Sequence, residues 1–225
     1  MSYPEQMAVP VVTIDGPGGA GKGTVASAIA KALGWHLLDS GALYRIIAVA
    51  GLADGIALDD AQALVEMSEG LGIVFDDGQV RVNGANLTDA IRSEEAGNSA
   101  SQVAALPPVR DAIFALQQGF RQAPGLVADG RDMGTVVFTD APVKIFLDAS
   151  AEARAERRYN QLKNNGLGVN LRALLEQIQD RDARDRERVV APLKPADDAL
   201  IIDSTEMTID EVVATVMTQI SSKVE

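Results

Sequence analysis

Short apolar runs alternate along the chain with segments in which apolar residues recur every three or four positions. Five of the runs predict buried strands, and each ends in an aspartate: Val9–Asp15, Trp35–Asp39, Gly125–Asp129, Val143–Asp148 and Ala199–Asp203. Strands that alternate with helices favour an α/β fold with a parallel sheet. Ligands of such sheets bind beyond the carboxyl ends of the strands, so we expect the chemistry to lie near these aspartates.

The segments between the runs predict helices. Apolar residues recur at helical spacing from Val25 to Leu33, and Gly34 is placed to end that helix. Further helices are predicted at residues 42–50, 93–105 and 108–122. The last helix has a start signal of its own, because Thr208 and Glu211 have the spacing of a capping box.

Two segments break the alternation of strands and helices. Residues 72–84 predict a β-hairpin that turns at Asp77–Gly78, and residues 60–105 as a whole resemble an insertion between core units. Near the other end of the chain, two arginine-bearing helices flank a glycine- and asparagine-rich loop, residues 164–170. We expect this loop to act as a mobile flap.

Composition and charge narrow the class of protein. The net charge of −12 disfavours nucleic acid and anionic membranes as partners, and the absence of cysteine excludes disulfides and thiolate metal sites. The first ten residues have neither the basic flank nor the apolar core of a secretory signal. No apolar run approaches the ~18 residues needed to cross a bilayer. We therefore expect a cytoplasmic protein, and a monomer.

A glycine-rich stretch follows the first predicted strand. TIDGPGGAGKGT (Thr13–Thr24) fits the phosphate-binding pattern G-x-x-x-x-G-K-[ST] at Gly16, Gly21 and Lys22, but Gly23 stands where a hydroxyl is usual and Thr24 supplies it one residue later. A structural turn is the alternative interpretation. The position between a β-branched strand and an amphipathic helix favours phosphate binding, because backbone N–H groups converge there and the lysine adds positive charge.

Three further motifs point to one family. DSGALYR (Asp39–Arg45), ADGRDMGTVVF (Ala128–Phe138) and RDARDRERVVAPL (Arg181–Leu193) resemble the bacterial cytidylate kinases, and GKGT resembles the loop of nucleoside monophosphate kinases in general. The resemblance runs from about Val11 to the final helix. It implies transfer of the terminal phosphoryl group of ATP to CMP or dCMP.

The resemblance also implies an architecture. A P-loop NTPase-type three-layer fold would have a central five-stranded parallel sheet, a monophosphate-binding insertion and a helical lid. We expect a single domain over residues 1–225, with the monophosphate-binding part at about 40–122 and the lid at about 151–188.

The loop chemistry and the resemblance together predict the donor site. The residues expected to bind ATP are Gly16, Pro17, Gly18, Gly19, Ala20, Gly21, Lys22, Gly23, Thr24, Arg154 and Arg157. Mg²⁺ is the expected cofactor and is held mainly by ATP oxygens and water. No strong direct metal ligand is predicted; Thr24, Asp39 and Asp129 are candidates that would act through water.

The acceptor site is predicted on the same basis. The residues expected to bind CMP are Ser40, Arg45, Ser101, Arg110, Asp129, Arg131, Asp132, Arg181, Asp185 and Arg188. Asp132 is the first candidate for recognising cytosine, because a carboxylate can accept from the N4 amino group, where uracil carries an acceptor. A purely structural ion pair is the alternative role for this residue.

The chemistry of the reaction needs positive charge rather than a base, because the acceptor phosphate is already ionised at neutral pH. The predicted catalytic residues are Lys22, Arg131, Arg157, Arg158, Arg181 and Arg188. Two arginine trios, 154/157/158 and 181/184/188, have the spacing of single helical faces. The one histidine, His36, is expected to be packed inside a strand.

Other classes of function remain as alternatives. A kinase of the same fold could act on AMP, dTMP or shikimate, although DSGALYR and the long insertion argue against this. A GTPase switch would carry an N-K-x-D motif, which this sequence lacks. A non-catalytic scaffold is disfavoured by the retained lysine and arginines.

Overall fold

The computed structural model describes residues 9–76, 79–164 and 168–224. The strands are β1 (Val11–Asp15), β2 (His36–Asp39), β3 (Ile73–Asp76), β4 (Gln79–Val82), β5 (Ala85–Asn86), β6 (Leu126–Gly130), β7 (Val143–Asp148) and β8 (Leu200–Asp203). The α-helices are α1 (Lys22–Leu33), α2 (Ser40–Ala53), α3 (Ala61–Glu69), α4 (Glu94–Val103), α5 (Pro107–Gly119), α6 (Ala151–Asn164), α7 (Leu171–Glu187) and α8 (Ile209–Val224). A short 3₁₀ turn spans Ala90–Arg92 and a π-helical turn spans Met133–Val137.

A five-stranded parallel sheet lies at the centre, in the order β2-β6-β1-β7-β8. Successive residues of a strand face opposite sides of the sheet, so each strand contributes to two cores. On one side Val12 and Ile14 pack with residues of α1 and α8, and on the other Val11 packs with Leu43 of α2 and Phe138. The predicted three-layer α/β fold with five parallel strands is confirmed.

Helix α2 joins this core to the insertion. Its residues Tyr44 and Ile47 pack in an apolar cluster with residues of α3, α4 and α5, and its residue Ile46 packs in a second cluster with Val80 and Val82 of β4. The insertion therefore shares side-chain packing with the element that carries DSGALYR. This arrangement holds the insertion against α2, the helix that follows the carboxyl end of β2.

The predicted hairpin is present as an antiparallel pair of β3 and β4, with β5 added as a third strand that the pattern did not predict. Its predicted turn at residues 77–78 lies outside the described residues. The arginine-bearing helices are α6 and α7, and positions 165–167 of the predicted flap likewise lie outside the described part of the chain.

Most predicted helix bounds shift by only a few residues, and caps are present at three of the helix ends. Helix α2 begins two residues before the predicted start, because the carboxylate of Asp39 accepts from the N–H of Ala42. Gly34 ends α1 in the left-handed conformation, at φ 66°. In the capping box before α8, Thr208 and Glu211 bond to each other's backbone N–H groups.

The prediction that His36 is packed is wrong. The side chain is exposed, and its Nε2 lies 3.0 Å from the carbonyl oxygen of Ala123. Strand β2 lies at the edge of the sheet, where of its four residues only Leu38 is buried. Within the described ranges, no helix combines the length and the apolar character that crossing a bilayer would require.

Candidate active site

The glycine-rich stretch connects β1 directly to α1. Gly19 and Gly21 have left-handed backbone conformations, with φ of 80° and 94°, and no side chain caps the helix at Gly21. A Cβ atom at Gly16, where φ is 151°, would lie 2.0 Å from the carbonyl oxygen of Leu147. The loop is therefore held against β7, while the first N–H groups of α1 receive no side-chain acceptor at the helix start.

Lys22, the first residue of α1, is buried in this loop. Its Nζ donates to the carbonyl oxygen of Pro17 at 2.9 Å and lies 3.8 Å from Oδ1 of Asp129. Burial, followed by the nearby charge of Arg131, lowers the pKa of Lys22 to about 8. Burial also raises the pKa of Asp129 to about 6, against the effect of Lys22. A charge held in so little water interacts strongly with an incoming phosphate.

A cavity of about 710 Å³ opens at the carboxyl ends of the strands. Of the residues predicted to bind ATP, those that line it are Gly18, Gly19, Gly21, Lys22, Gly23, Thr24, Arg154 and Arg157. Of the residues predicted to bind CMP, those that line it are Ser40, Arg45, Ser101, Asp129, Arg131, Asp132, Arg181, Asp185 and Arg188, and Asp39 and Arg158 line it as well. Sequence segments far apart along the chain thus open into one space.

Four predicted site residues do not line the cavity: Gly16, Pro17, Ala20 and Arg110. Ala20 is only 1% exposed and packs in the core beneath the loop, and Gly16 lies against β7. Arg110 reaches the site through a partner, because it forms an ion pair with Asp132.

Asp185 of α7 contacts three other residues that were predicted to bind CMP. Its carboxylate accepts from Ser101 Oγ at 2.6 Å and from Arg131 Nε at 3.0 Å, and Nε of Arg181 lies 4.0 Å away. Burial raises the pKa of Asp185, but Arg131 and then Arg181 hold it below its usual range. This carboxylate joins α4, the end of β6 and α7.

A second buried carboxylate, Asp132, lies between two arginines. It forms a hydrogen-bonded ion pair with Arg110, and Nη2 of Arg188 lies 3.9 Å from its Oδ1. Arg110 also donates to the carbonyl oxygen of Ala104 at 3.3 Å and lies over the ring of Tyr44 at 5.8 Å. The alternative role of Asp132 as an ion-pair partner is therefore real in this structure, and its role toward a base stays a prediction.

Two residues of the DSGALYR motif have partners on the insertion side. Arg45 donates to the carbonyl oxygen of Ile91 at 2.7 Å, and burial lowers its pKa. Ser40 is buried, and its hydroxyl accepts from Gln117 Nε2 at 2.9 Å. Both side chains line the cavity from α2.

All three arginines of the first trio line the cavity, but each has different protein partners. Arg154 is buried and donates to Asp182 and to the carbonyl oxygens of Ala149 and Gly18, the last at 3.0 Å. Arg157 donates to backbone oxygens after β8, including that of Thr205 at 3.1 Å. Arg158 forms an ion pair with Glu94 of α4. Helical spacing brings the three together on α6, but long side chains reach three different partners.

The second trio is also divided. Arg181 and Arg188 line the cavity, whereas Arg184 is absent from its lining. Helix α7 ends at Glu187, so Arg188 has an extended backbone conformation at the helix end, with ψ of 140°. Burial, followed by the charge of Arg131, lowers the pKa of Arg181 to about 10.

The carboxylates near the loop suit a hydrated metal ion but not a protein-held one. Asp39 and Asp129 are register partners on β2 and β6, and Thr24 lines the same side of the cavity. Among the described residues, no group of three or more His, Cys, Asp or Glu side chains could hold a metal ion. This set fits an ion that arrives with a nucleotide and keeps its water.

The sequence analysis did not select several residues that the structure brings to the site. Tyr44, Glu94 and Asp182 line the cavity, and Asp15 lies buried just behind it. Asp15 carried a signal, because it ends a strand immediately before the glycine loop. The ion-pair partners Glu94 and Asp182 carried none, since their arginines are distant in sequence.

Comparison with known proteins shows which family the sequence of this chain matches. The family model described as cytidylate kinase matches residues 12–222. The cytidylate kinase of Aeromonas salmonicida (strain A449) is 59% identical over 216 residues, 94% of each chain. That of Pseudomonas aeruginosa (strain UCBPP-PA14) is 58% identical over 216 residues, 93% of this chain and 94% of its own.

A likeness among solved structures concerns the fold alone. The crystal structure of an uncharacterized protein from Eubacterium ventriosum aligns with 95% of this chain and 99% of its own, at a TM-score of 0.50 and 12% identity. The family match, by contrast, extends over nearly the whole chain, and the two relatives share more than half of their aligned residues with it. The chain belongs to the cytidylate kinase family.

Proposed function

We propose that this protein transfers the γ-phosphoryl group of ATP to CMP or dCMP, giving ADP and CDP or dCDP. The observation that carries the proposal is one cavity lined by a phosphate-binding loop on one side and buried arginines on the other, in a chain of the cytidylate kinase family. The names of the two bacterial relatives agree with this reaction.

The donor triphosphate binds at the start of α1. Backbone N–H groups of the loop surround the β-phosphate, and Lys22 turns from the carbonyl oxygen of Pro17 toward the β- and γ-phosphate oxygens. Arg157 and Arg154 approach from α6. Both guanidinium groups already donate to protein acceptors, but a guanidinium has more N–H donors than these bonds use, so either arginine can add a phosphate contact to them.

The acceptor nucleotide binds between α2, α4 and the lid. Its phosphate is held by Arg45, Arg131 and Arg188, and its sugar lies near Asp185. Asp132 accepts from the N4 amino group of cytosine, which uracil lacks. An ionised phosphate oxygen attacks the γ-phosphorus, so no residue has to remove a proton from the acceptor.

Positive charge stabilises the transferring group. Arg131, Arg158 and Arg181 border the space between the donor and acceptor sides, where negative charge builds up on the phosphoryl oxygens. Closing of α6 and α7 over both nucleotides would exclude water and so protect ATP from hydrolysis. The lid at about 151–188 and the monophosphate-binding part at about 40–122 are the units we propose for this movement.

Mg²⁺ is the proposed cofactor. When bound, the ion neutralises part of the charge on the β- and γ-phosphates. Thr24, Asp39 and Asp129, which lie at the cavity, would orient its water ligands. A cytoplasmic location and a monomeric state are part of the same proposal.

The test is ATP-dependent phosphoryl transfer to CMP, dCMP, UMP and AMP measured in parallel. We expect CMP and dCMP to be the preferred acceptors, and Lys22→Ala to lower kcat/KM by about 10²-fold or more. Purified folded protein that transfers nothing to CMP, or that prefers AMP, would contradict the proposal. Turnover with CMP at any substantial rate excludes the scaffold alternative.

A further inference from the structure

Asp15 makes a paired contact that the proposed reaction does not yet use. This last residue of β1 is 4% exposed, and its two carboxylate oxygens accept from successive backbone N–H groups. Oδ1 accepts from Met133 and Oδ2 from Gly134, each at 2.8 Å. Both N–H groups belong to the π-helical turn of residues 133–137. One side chain therefore fixes the point at which the chain leaves β6.

The segment just before this turn, residues Asp129–Asp132, carries groups of both substrate sites, and we name it the bridging segment. Its first residue lies 3.8 Å from Lys22 on the donor side. Arg131 bonds to Asp185 and Asp132 pairs with Arg110, both on the acceptor side. A shift of this segment would move donor and acceptor groups relative to each other.

Both ends of the bridging segment are held, but in different ways. At its start, β6 pairs with β1 in parallel register, with Asp129 opposite Ile14 and Gly130 opposite Asp15. Strand β6 ends at Gly130, and immediately after Asp132 the chain is held by the bonds from Met133 and Gly134 to Asp15. The side chain of Met133 also packs on Gly130, where a Cβ atom would lie 2.7 Å from it. Asp15 is thus the polar anchor at the Asp132 end of the segment.

We infer that Asp15 is a positioning residue for acceptor binding, because its two backbone contacts hold the bridging segment, and with it Arg131 and Asp132, at a fixed distance from the glycine loop. The inference rests on the proposed function. Asp15 is not among the residues that line the cavity, so it acts through the segment rather than on a substrate.

The choice of residue supports this role. Only a carboxylate of this length offers two acceptors side by side for two adjacent N–H groups; an amide offers one. Burial raises the pKa of Asp15 to about 7, and the contacts from Gly134 and Met133 oppose that effect. A buried carboxylate is a costly way to fill space, so a position with a packing role alone would favour an apolar residue.

The test is Asp15→Asn, which keeps the volume but removes one acceptor. We expect the KM for CMP to rise and kcat to fall, lowering kcat/KM for CMP by about tenfold or more, while the KM for ATP stays within about twofold. The matched control is Val216→Ala, which leaves a cavity where α8 packs in the apolar core and is chosen because it should lower thermal stability. It should leave both KM values unchanged.

The outcomes separate this inference from the proposed function. Wild-type protein that does not phosphorylate CMP overturns the function before any variant is made. Working wild type together with unchanged KM values in Asp15→Asn overturns the inference, even if the variant melts earlier. Should that variant fail to fold, amide hydrogen exchange in the unliganded wild type decides. Slow exchange at Met133 and Gly134 supports the anchor, and exchange as fast as in an unstructured peptide overturns it.

Discussion

Replacing Asp132 with asparagine separates the ion pair that the structure shows from the proposed role of this carboxylate in recognising cytosine. The side chain is 3% exposed and is the ion-pair partner of the buried Arg110, with Arg188 3.9 Å away. It is also the proposed acceptor for the amino group of cytosine. Asp132→Asn keeps the shape of the side chain and removes its charge.

The cost in stability follows from burial. Breaking a buried ion pair by removing one charge costs about 3–5 kcal/mol, because the remaining charge is left without compensation. We expect the lower end, about 3 kcal/mol, since the asparagine oxygen still accepts from one arginine. For a domain of this size the change corresponds to a fall in Tm of about 6–12 °C.

The cost in specificity follows from the change of hydrogen-bonding groups. A hydrogen bond to a charged group is worth about 1.5–3 kcal/mol, and asparagine can also donate to the O4 atom of uracil. The ratio of kcat/KM for CMP to that for UMP should therefore fall by about 10- to 150-fold. Thermal denaturation and steady-state kinetics with both acceptors measure the two effects on one preparation.

Two further variants sharpen the experiment. Asp140→Asn removes a carboxylate that is 60% exposed and pairs with Arg121, so its stability should change by less than about 1 kcal/mol and its acceptor ratio should be unchanged. Adding Arg110→Met to Asp132→Asn should recover part of the lost stability, since a buried unpaired charge disappears. A ratio that stays within about twofold in Asp132→Asn would refute the role in base recognition. An unchanged Tm would refute the ion-pair reasoning.

Two other predictions concern the glycine loop. Lys22→Met should stabilise the unliganded protein at pH 7 by up to about 3 kcal/mol, less the stability lost because Asp129 no longer has a charged partner. The reason is that burial lowers the pKa of the wild-type lysine to about 8 from 10.5, and at pH 7 this lysine is charged in the folded protein. Between these two pH values the unfolded wild-type chain binds one proton more than the folded protein, so the free energy of unfolding of the wild type should rise with pH. The stability difference between Lys22→Met and the wild type should therefore shrink across that window. A difference that does not change with pH in denaturant titrations would contradict this. Gly16→Ala should lower the free energy of unfolding by well over the ~1–2 kcal/mol expected for Gly34→Ala. The reason is that a Cβ atom at position 16 would collide with the carbonyl oxygen of Leu147, whereas a Cβ atom at position 34 would meet no other group. Equal losses of Tm in the two variants would disprove the contact.

The sequence predicted the sheet and the loop well because both rest on local rules. Buried β-branched runs such as VVTID and VKIFLD have one stable use in an α/β protein, and a phosphate loop is specified by glycines that permit left-handed backbone. The capping box of Thr208 and Glu211 and the cap at Gly34 are equally local. These features needed no knowledge of what packs against them.

The prediction for His36 failed and the partners of the arginines were not predicted, because both concern side chains with a choice of environment. Whether His36 is packed depends on its strand lying at the sheet edge, and strand order is a property of the whole fold. The first arginine trio shares a helical face, yet the partners of Arg154 and Arg158 come from α7 and α4, which are remote in sequence. A long, flexible cation goes to whichever carboxylate the tertiary structure brings near.

The sequence by itself determined that this chain builds a parallel sheet, ends its strands in carboxylates and carries a phosphate loop followed by many arginines. Only the tertiary structure decided which carboxylate meets which arginine, and that Asp15 anchors the segment joining the two substrate sides. The physical reason is the distance along the chain over which each kind of interaction acts. Backbone conformation follows from neighbours along the chain, whereas burial and charge pairing are set by groups that only folding brings together.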